Sequence, residues 1–295
     1  MKPYQLHCKY ASHDGMREKL YPLFETVFKI DVPLLQDFYR RGFWNPTYRP
    51  YTFFDGDLAV ANVSMFSMPL MIKQKRRMAA GIQSVMTHPD YRGKGLMKHL
   101  FAEMLQELDR ECETALLLTE TPDLYKPFGF RPVQEHYFRA PMKHVPADGK
   151  PSFRKLDFFQ ENDVQTVKDL FLNHTPVSHQ FAPVSHQSSF CLNMYHPYFH
   201  EKLSYSEELG IILVWEVKGE TLKLYDVIGE TLPTLDEICS HIPLPFSQIE
   251  FYFCPDLFDL TTIEPVVFAR GNHLMVRGDL VVEQDYFILP ITAEF

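Results

Sequence analysis

The chain has 295 residues, 45% of them apolar and 23% charged, which exceeds one typical domain and suffices for buried cores, so two domains are expected. No stretch approaches ~20 uninterrupted apolar residues, so no membrane partner is expected, and a net charge of -9 without a basic stripe argues against nucleic acid. Five scattered cysteines without C-x-x-C spacing imply neither zinc nor a disulfide framework, and an N-terminus without an apolar leader run points to a cytoplasmic protein.

In chain order, residues 4–8 read as a strand and 15–28 as a helix with Leu20, Leu23, Phe24 and Val27 on one face. Pro22 sits inside that pattern and predicts a first turn there. Residues 34–43 give a second helix. The run from 51 to 72 is a hairpin turning at Asp55-Gly56-Asp57, and 76–88 is a further strand. Leu96, Leu100, Met104 and Leu108 recur at four-residue steps, the mark of an amphipathic helix. A buried strand at 114–120, a turn at 125–133 and a strand at 136–142 complete this half.

A linker is expected at 143–152, where Pro146, Gly149 and Pro151 punctuate a polar stretch. It separates a first unit, 1–145, from a second, 151–295. The second half then starts again with a strand, 152–157, and a helix, 161–174. Leu170-Phe171 echo Leu23-Phe24, and "DYFILPI" (285–291) echoes "HYFRAPM" (136–142), at nearly equal offsets. The agreement predicts a tandem duplication of one α/β unit. Charge divides unevenly: residues 1–148 carry 20 Lys+Arg against 17 Asp+Glu, and the remainder 9 against 21. The acidic second half suits a cationic substrate or is simply a solvated surface.

The stretch with the most chemical content is "HPDYRGKGLM", residues 88–97, between a strand and a helix. Glycines let a ligand approach the backbone, and the first amides of a helix lack internal partners. With the helix dipole and Arg92 and Lys94 they form an anion cradle. The spacing is neither a P-loop nor a dinucleotide fingerprint.

The run "VMTHPDYRGKGLM", followed by "LYKPFGF" (124–130), resembles the GNAT superfamily of acetyl-coenzyme A-dependent N-acetyltransferases. Arg92-Gly93-Lys94-Gly95-Leu96-Met97 matches its Q/R-x-x-G-x-G/A signature except at Met97. The acetyltransferases named for enhanced intracellular survival also place a large apolar residue there, and they also carry a second GNAT-like domain. The resemblance implies an α/β (α+β) fold of tandem GNAT-like domains, each a mixed, mostly antiparallel sheet flanked by helices. It implies that Val85, Met86 and Thr87 pair with the pantetheine arm of acetyl-CoA. The amides of Gly93, Lys94, Gly95, Leu96, Met97 and Lys98 would hold its pyrophosphate, led by Arg92. Glu120 and Thr121 would line the thioester end. Tyr125 would protonate the departing thiolate, a phenol of pKa ~10 being matched to a thiol of ~8.5. The implied reaction is acetyl transfer to a small-molecule primary amine by direct attack through a tetrahedral intermediate. The base is a water chain or, as in that branch, a terminal carboxylate, here at Phe295. A non-catalytic acyl-CoA sensor remains the alternative.

Other features carry less. "PVSHQ" occurs at 176–180 and 183–187, and His174, His179, His186, His196 and His200 lie close in sequence. They lack acidic or thiol partners at ligand spacing, so no metal is expected and a polar loop is. Trp44, Tyr48 and Tyr51 would grip an amine or pack in the core. The second half replaces "RGKG" with "TLPTLDEICSH", which predicts a domain unable to hold coenzyme A.

Overall fold

The structure is a computed structural model describing residues 4–146, 153–283 and 285–295; the expected linker's residues 147–152 lie outside them. The first half runs β1 (Gln5–Cys8), α1 (Asp14–Glu18), α2 (Tyr21–Phe28), α3 (Val32–Arg40), β2 (Arg49–Asp55), β3 (Leu58–Ile72), β4 (Lys75–Thr87), α4 (Leu96–Glu111), β5 (Thr114–Thr119), β6 (Arg131–Pro132) and β7 (Glu135–His144). The expected helix over 15–28 is two helices. Pro22 falls in the first turn of α2, where its missing N–H costs nothing, whereas in a continuous helix it would remove a hydrogen bond and clash.

The second half runs β8 (Arg154–Lys155), α5 (Glu161–Leu172), β9 (Phe181–Pro183), α6 (Gln187–Asn193), α7 (Pro197–His200), β10 (Leu203–Ser206), β11 (Ile211–Lys218), β12 (Thr221–Gly229), α8 (Leu235–Ser240), β13 (Phe246–Phe251), β14 (Glu264–Phe268) and β15 (His273–Gly278). Among the described residues no helix is long and apolar enough to cross a membrane.

Two mixed sheets result. The first has the order β1-β2-β3-β4-β5-β15-β6, with β9 on the far end of β3; the second has the order β14-β7-β13-β12-β11-β10-β8. Each contains one parallel pair, β4 with β5 and β12 with β13, in otherwise antiparallel ladders. The same strand arrangement thus occurs twice, in the mixed and mostly antiparallel form expected. The halves also exchange strands. β15 comes from the second half and lies between β5 and β6, while β7 comes from the first half and lies between β13 and β14. The topological counterpart of "HYFRAPM" is therefore His273–Gly278. "DYFILPI", its sequence echo, forms no strand, although Phe287 accepts a bond from the His136 amide.

α4 covers one face of the first sheet. Leu100, Phe101, Met104 and Leu108 are buried against Val60, Val63, Met65, Ala115 and Leu117. α2 and α3 cover the other face through Leu20, Tyr21, Leu23, Phe24 and Leu35. A larger core joins that face of β3 and β4 to the second sheet, from Phe66, Met68 and Leu70 across to Phe181, Leu213 and Phe251. The histidine-rich stretch is part of this junction rather than a polar loop. Phe181–Pro183 pairs with Leu70–Ile72, and Asp256 ties down Ser178 and the amides of His179 and Gln180.

Candidate functional site

β4 and β5 pair in parallel only from Ala79–Ile82 to Thr114–Leu117. Beyond Ile82, β4 keeps its partner β3 but has no strand on its β5 side among the described residues. A slot opens there. At the same point the β3–β4 ladder slips: Asn62 faces Met86, and Ser64 faces Gln83. Ser84 and Val85 therefore oppose the single residue Val63, which is a bulge. Ser84 sits at φ +55, a left-handed conformation that costs a residue with a side chain on the order of 1 kcal/mol.

Val85, Met86 and Thr87 form the β4 side of the slot. Val85 leans on the core under α4, and Met86 on the core under α2. The chain then makes a single 3-10 turn, Pro89–Tyr91, and reaches Gly93 and Gly95 at φ +75 and +74. A Cβ on either glycine would meet nothing within 4 Å, so the turn faces open space. Glycine is required for the backbone rather than for room.

α4 begins at Leu96 with no side-chain cap. After the Arg92 amide, which bonds the Pro89 carbonyl, the next amide with an acceptor is that of His99, bonded to the Gly95 carbonyl. The amides of Gly93, Lys94, Gly95, Leu96, Met97 and Lys98 have none among the described residues. Leu96 is buried and anchors the helix start. Arg92, Lys94 and Lys98 are exposed around these amides, and none has an ion-pair partner among the described residues. Arg92 Nε donates to the Thr87 carbonyl at 3.4 Å, Lys94 Nζ lies 4.3 Å from the Tyr91 ring, and Tyr91 OH donates to Asp55 at 2.8 Å. The turn is thus tied to β2 and β4 and carries a concentrated positive field. Unsatisfied amides, a helix dipole and three free cations suit a multiply charged anion.

Tyr125 follows β5 and is only 7% exposed. Its ring lies 5.6 Å from Phe101 of α4 and 6.5 Å from Phe130. The helix that presents the free amides therefore also seats the phenol. Burial raises the Tyr125 pKa, with the Thr119 hydroxyl partly offsetting it. The phenol holds its proton at neutral pH. Glu120 and Thr121 are exposed at the end of β5, where the Thr121 amide donates to Thr119 Oγ1 at 3.0 Å.

The aromatic trio divides. Trp44 and Tyr48 meet at 5.4 Å. Tyr51 points to the α4 face, where its hydroxyl donates to Glu107 at 2.7 Å. Alternation along β2 puts Thr52 and Phe54 on one face and Tyr51 and Phe53 on the other. Phe295 packs edge-on against Phe66 at 5.0 Å, and Phe66 in turn covers Gly81 beside the mouth of the slot.

The second sheet repeats the parallel pair but not the cradle. α8 after β12 starts with a reciprocal cap: Thr234 accepts from the Glu237 amide, and Glu237 accepts from the Thr234 amide. Asp236 and Glu237 stand where the first half has cations. Of the histidines, His186 bonds Asp226 at 2.9 Å and lies 5.6 Å from the His174 ring. Among the described residues no three His, Cys, Asp or Glu are gathered to hold a metal. The sequence reading missed a buried polar chain, Tyr10–Thr52–Asn62–Ser64–Tyr48, beside the Ser84 bulge. Its visible signal was Asn62 and Ser64, two polar residues in a strand otherwise apolar from 58 to 66.

The family model for the acetyltransferase (GNAT) domain matches residues 11–133. No curated protein matches the sequence. Among solved structures, a probable N-acyltransferase from Enterococcus faecalis is 15% identical with a TM-score of 0.57, over 94% of this chain and 73% of that one. A GCN5-related N-acetyltransferase from Anabaena variabilis is 16% identical with a TM-score of 0.55, over 95% and 74%. Eis1 from Mycobacterium abscessus is 11% identical with a TM-score of 0.51, over 93% and 73%. The likeness spans both sheets, so the fold is shared along nearly the whole chain. The chain thus has a tandem GNAT-like fold, and its residues 11–133 match the acetyltransferase (GNAT) domain model.

Proposed function

We propose that the protein transfers an acetyl group from acetyl-CoA to a primary amine at one site in the first half. The observation that carries this reading is the row of free amides from Gly93 to Lys98 at the end of the open slot. These amides, with Arg92, Lys94 and Lys98, would hold the pyrophosphate. The backbone of Val85, Met86 and Thr87 would pair with the pantetheine arm, as a strand edge pairs with an extended chain. Glu120 and Thr121 would flank the thioester.

Bound acetyl-CoA supplies an activated acyl group with a thiolate leaving group. The neutral amine attacks the thioester carbonyl, its nitrogen sheds a proton to water, the C–S bond breaks, and Tyr125 gives its phenolic proton to the departing sulfur. The buried wall of Phe101 and Phe130 holds that ring in place. The acidic balance of the second half, 9 Lys+Arg against 21 Asp+Glu, favours a cationic acceptor. The reciprocal cap of α8 occupies the Thr234 and Glu237 amides and sets two carboxylates, Asp236 and Glu237, at the helix start, which disfavours a pyrophosphate in the second domain.

Two measurements test this. Millimolar acetyl-CoA should raise Tm, because a ligand bound only by the folded state stabilises it. A panel of amines should then release free thiol. Absence of a Tm shift overturns the coenzyme A site. Binding without thiol release for any amine favours the non-catalytic sensor.

A further inference from the structure

We propose that Asn62 is the positioning residue that holds open the slot between β4 and β5. The inference rests on the coenzyme A reading for its consequence, but its geometry stands apart from it. Asn62 lies on β3 and is fully buried, as are Thr52 and Ser64. Its Nδ2 donates to the Ser84 carbonyl at 2.7 Å and to Ser64 Oγ at 2.8 Å, while its Oδ1 accepts from Thr52 at 2.6 Å. Both donors are used, and the amide is fixed from strands on either side.

The Ser84 carbonyl belongs to the bulged residue, which the slipped ladder leaves facing only Val63. A buried carbonyl without a partner is unfavourable. A regular ladder would satisfy it with a backbone amide and would keep β4 straight. Asn62 supplies a side-chain donor instead and makes the bulge the satisfied state. A bulge bends its strand and increases its twist. Here the parallel pairing of β4 with β5 stops at Ile82, with only Gln83 between it and the bulged pair Ser84 and Val85. Asn62 thus selects the backbone in which Val85–Thr87 turns a free edge toward the slot. It touches no reacting atom and acts through Ser84.

The test uses Asn62→Asp, which keeps the size but loses both donors, and Asn62→Ala, which keeps folding measurable if the charge is not tolerated. Titration calorimetry would compare coenzyme A with 3′-phospho-ADP, which has the pyrophosphate but no pantetheine. Expected is a loss of at least tenfold for coenzyme A and less than twofold for 3′-phospho-ADP. Equal losses for both ligands, or no loss for either, overturn the proposal, since a merely structural role would not separate them. Hydrogen exchange on the ligand-free protein decides the positioning independently. Closure of the slot in the variants should slow exchange in residues 83–87 by tenfold or more relative to wild type, and an unchanged pattern overturns it. If wild type binds neither ligand, the coenzyme A reading falls, while the exchange result still decides the role of Asn62.

Discussion

Thr119 faces His273 across an antiparallel ladder, although the two belong to opposite halves of the chain. Through this ladder Leu274, Met275 and Val276 are buried beside β5. Fully burying three such side chains contributes about 5–9 kcal/mol, comparable with the whole stability of a domain. A fragment of residues 1–146 would lose that strand and leave β5 an open edge. Expected is no cooperative thermal transition for the fragment alone, with recovery when residues 153–295 are co-expressed. A cooperative melt of the fragment near the full-length Tm contradicts it.

Gly95 has φ +74 and open space around it. A side chain there strains the backbone by about 1–2 kcal/mol, but it projects into the volume the free amides face. Gly95→Asp adds a negative charge as well. It should weaken acetyl-CoA binding at least tenfold while lowering Tm by only a few degrees. Titration at two ionic strengths checks the electrostatic part, since higher salt should weaken wild-type binding more than that of the variant.

The local elements of the first half were legible because their signals are local. The four-residue spacing from Leu96 to Leu108 and the glycines at 93 and 95 each specify a backbone conformation without help from elsewhere. The strand exchange was not legible. β7 and β15 are both apolar-rich strands bounded by turns, and nothing in either sequence says which β5-like edge it joins. Tyr51 takes the core-packing alternative, on the α4 face, because alternation along β2 turns it that way. The echo of "DYFILPI" misled: two prolines or aromatics at matching offsets do not specify hydrogen bonding. The Asn62 contact joins residues 22 apart and depends on a bulge that no local pattern announces.

Tyr125 offers a cleaner separation of chemistry from folding. Its ring packs on Phe101 and Phe130, and these contacts survive Tyr125→Phe. Tm and acetyl-CoA affinity should hardly change, whereas kcat should fall about 10²-fold, the usual size of a lost general acid. Because burial raises the phenol pKa, deprotonation of Tyr125 should not limit the wild-type rate up to pH 9. A variant with wild-type kcat removes the proton-donor role.

His174 makes stability depend on acid. Burial, then the neighbouring His186, depresses its pKa to about 4, against the partial counter-effect of Asp226. An unfolded histidine takes its proton near pH 6.5. Between pH 6.5 and 4 the unfolded chain therefore binds a proton that the folded one refuses, and stability falls as pH falls. From pH 7 to 5 this one residue accounts for about 2 kcal/mol. The loss falls on a junction: Asp226, bonded to His186, also accepts from Thr292 at 2.5 Å and so anchors the segment that ends on Phe66. His174→Gln removes the titrating group at similar size. It should therefore flatten the drop in Tm between pH 7 and 5, even if it lowers Tm at pH 7 through imperfect packing. Parallel Tm curves for wild type and variant over that range show that the acid sensitivity arises elsewhere.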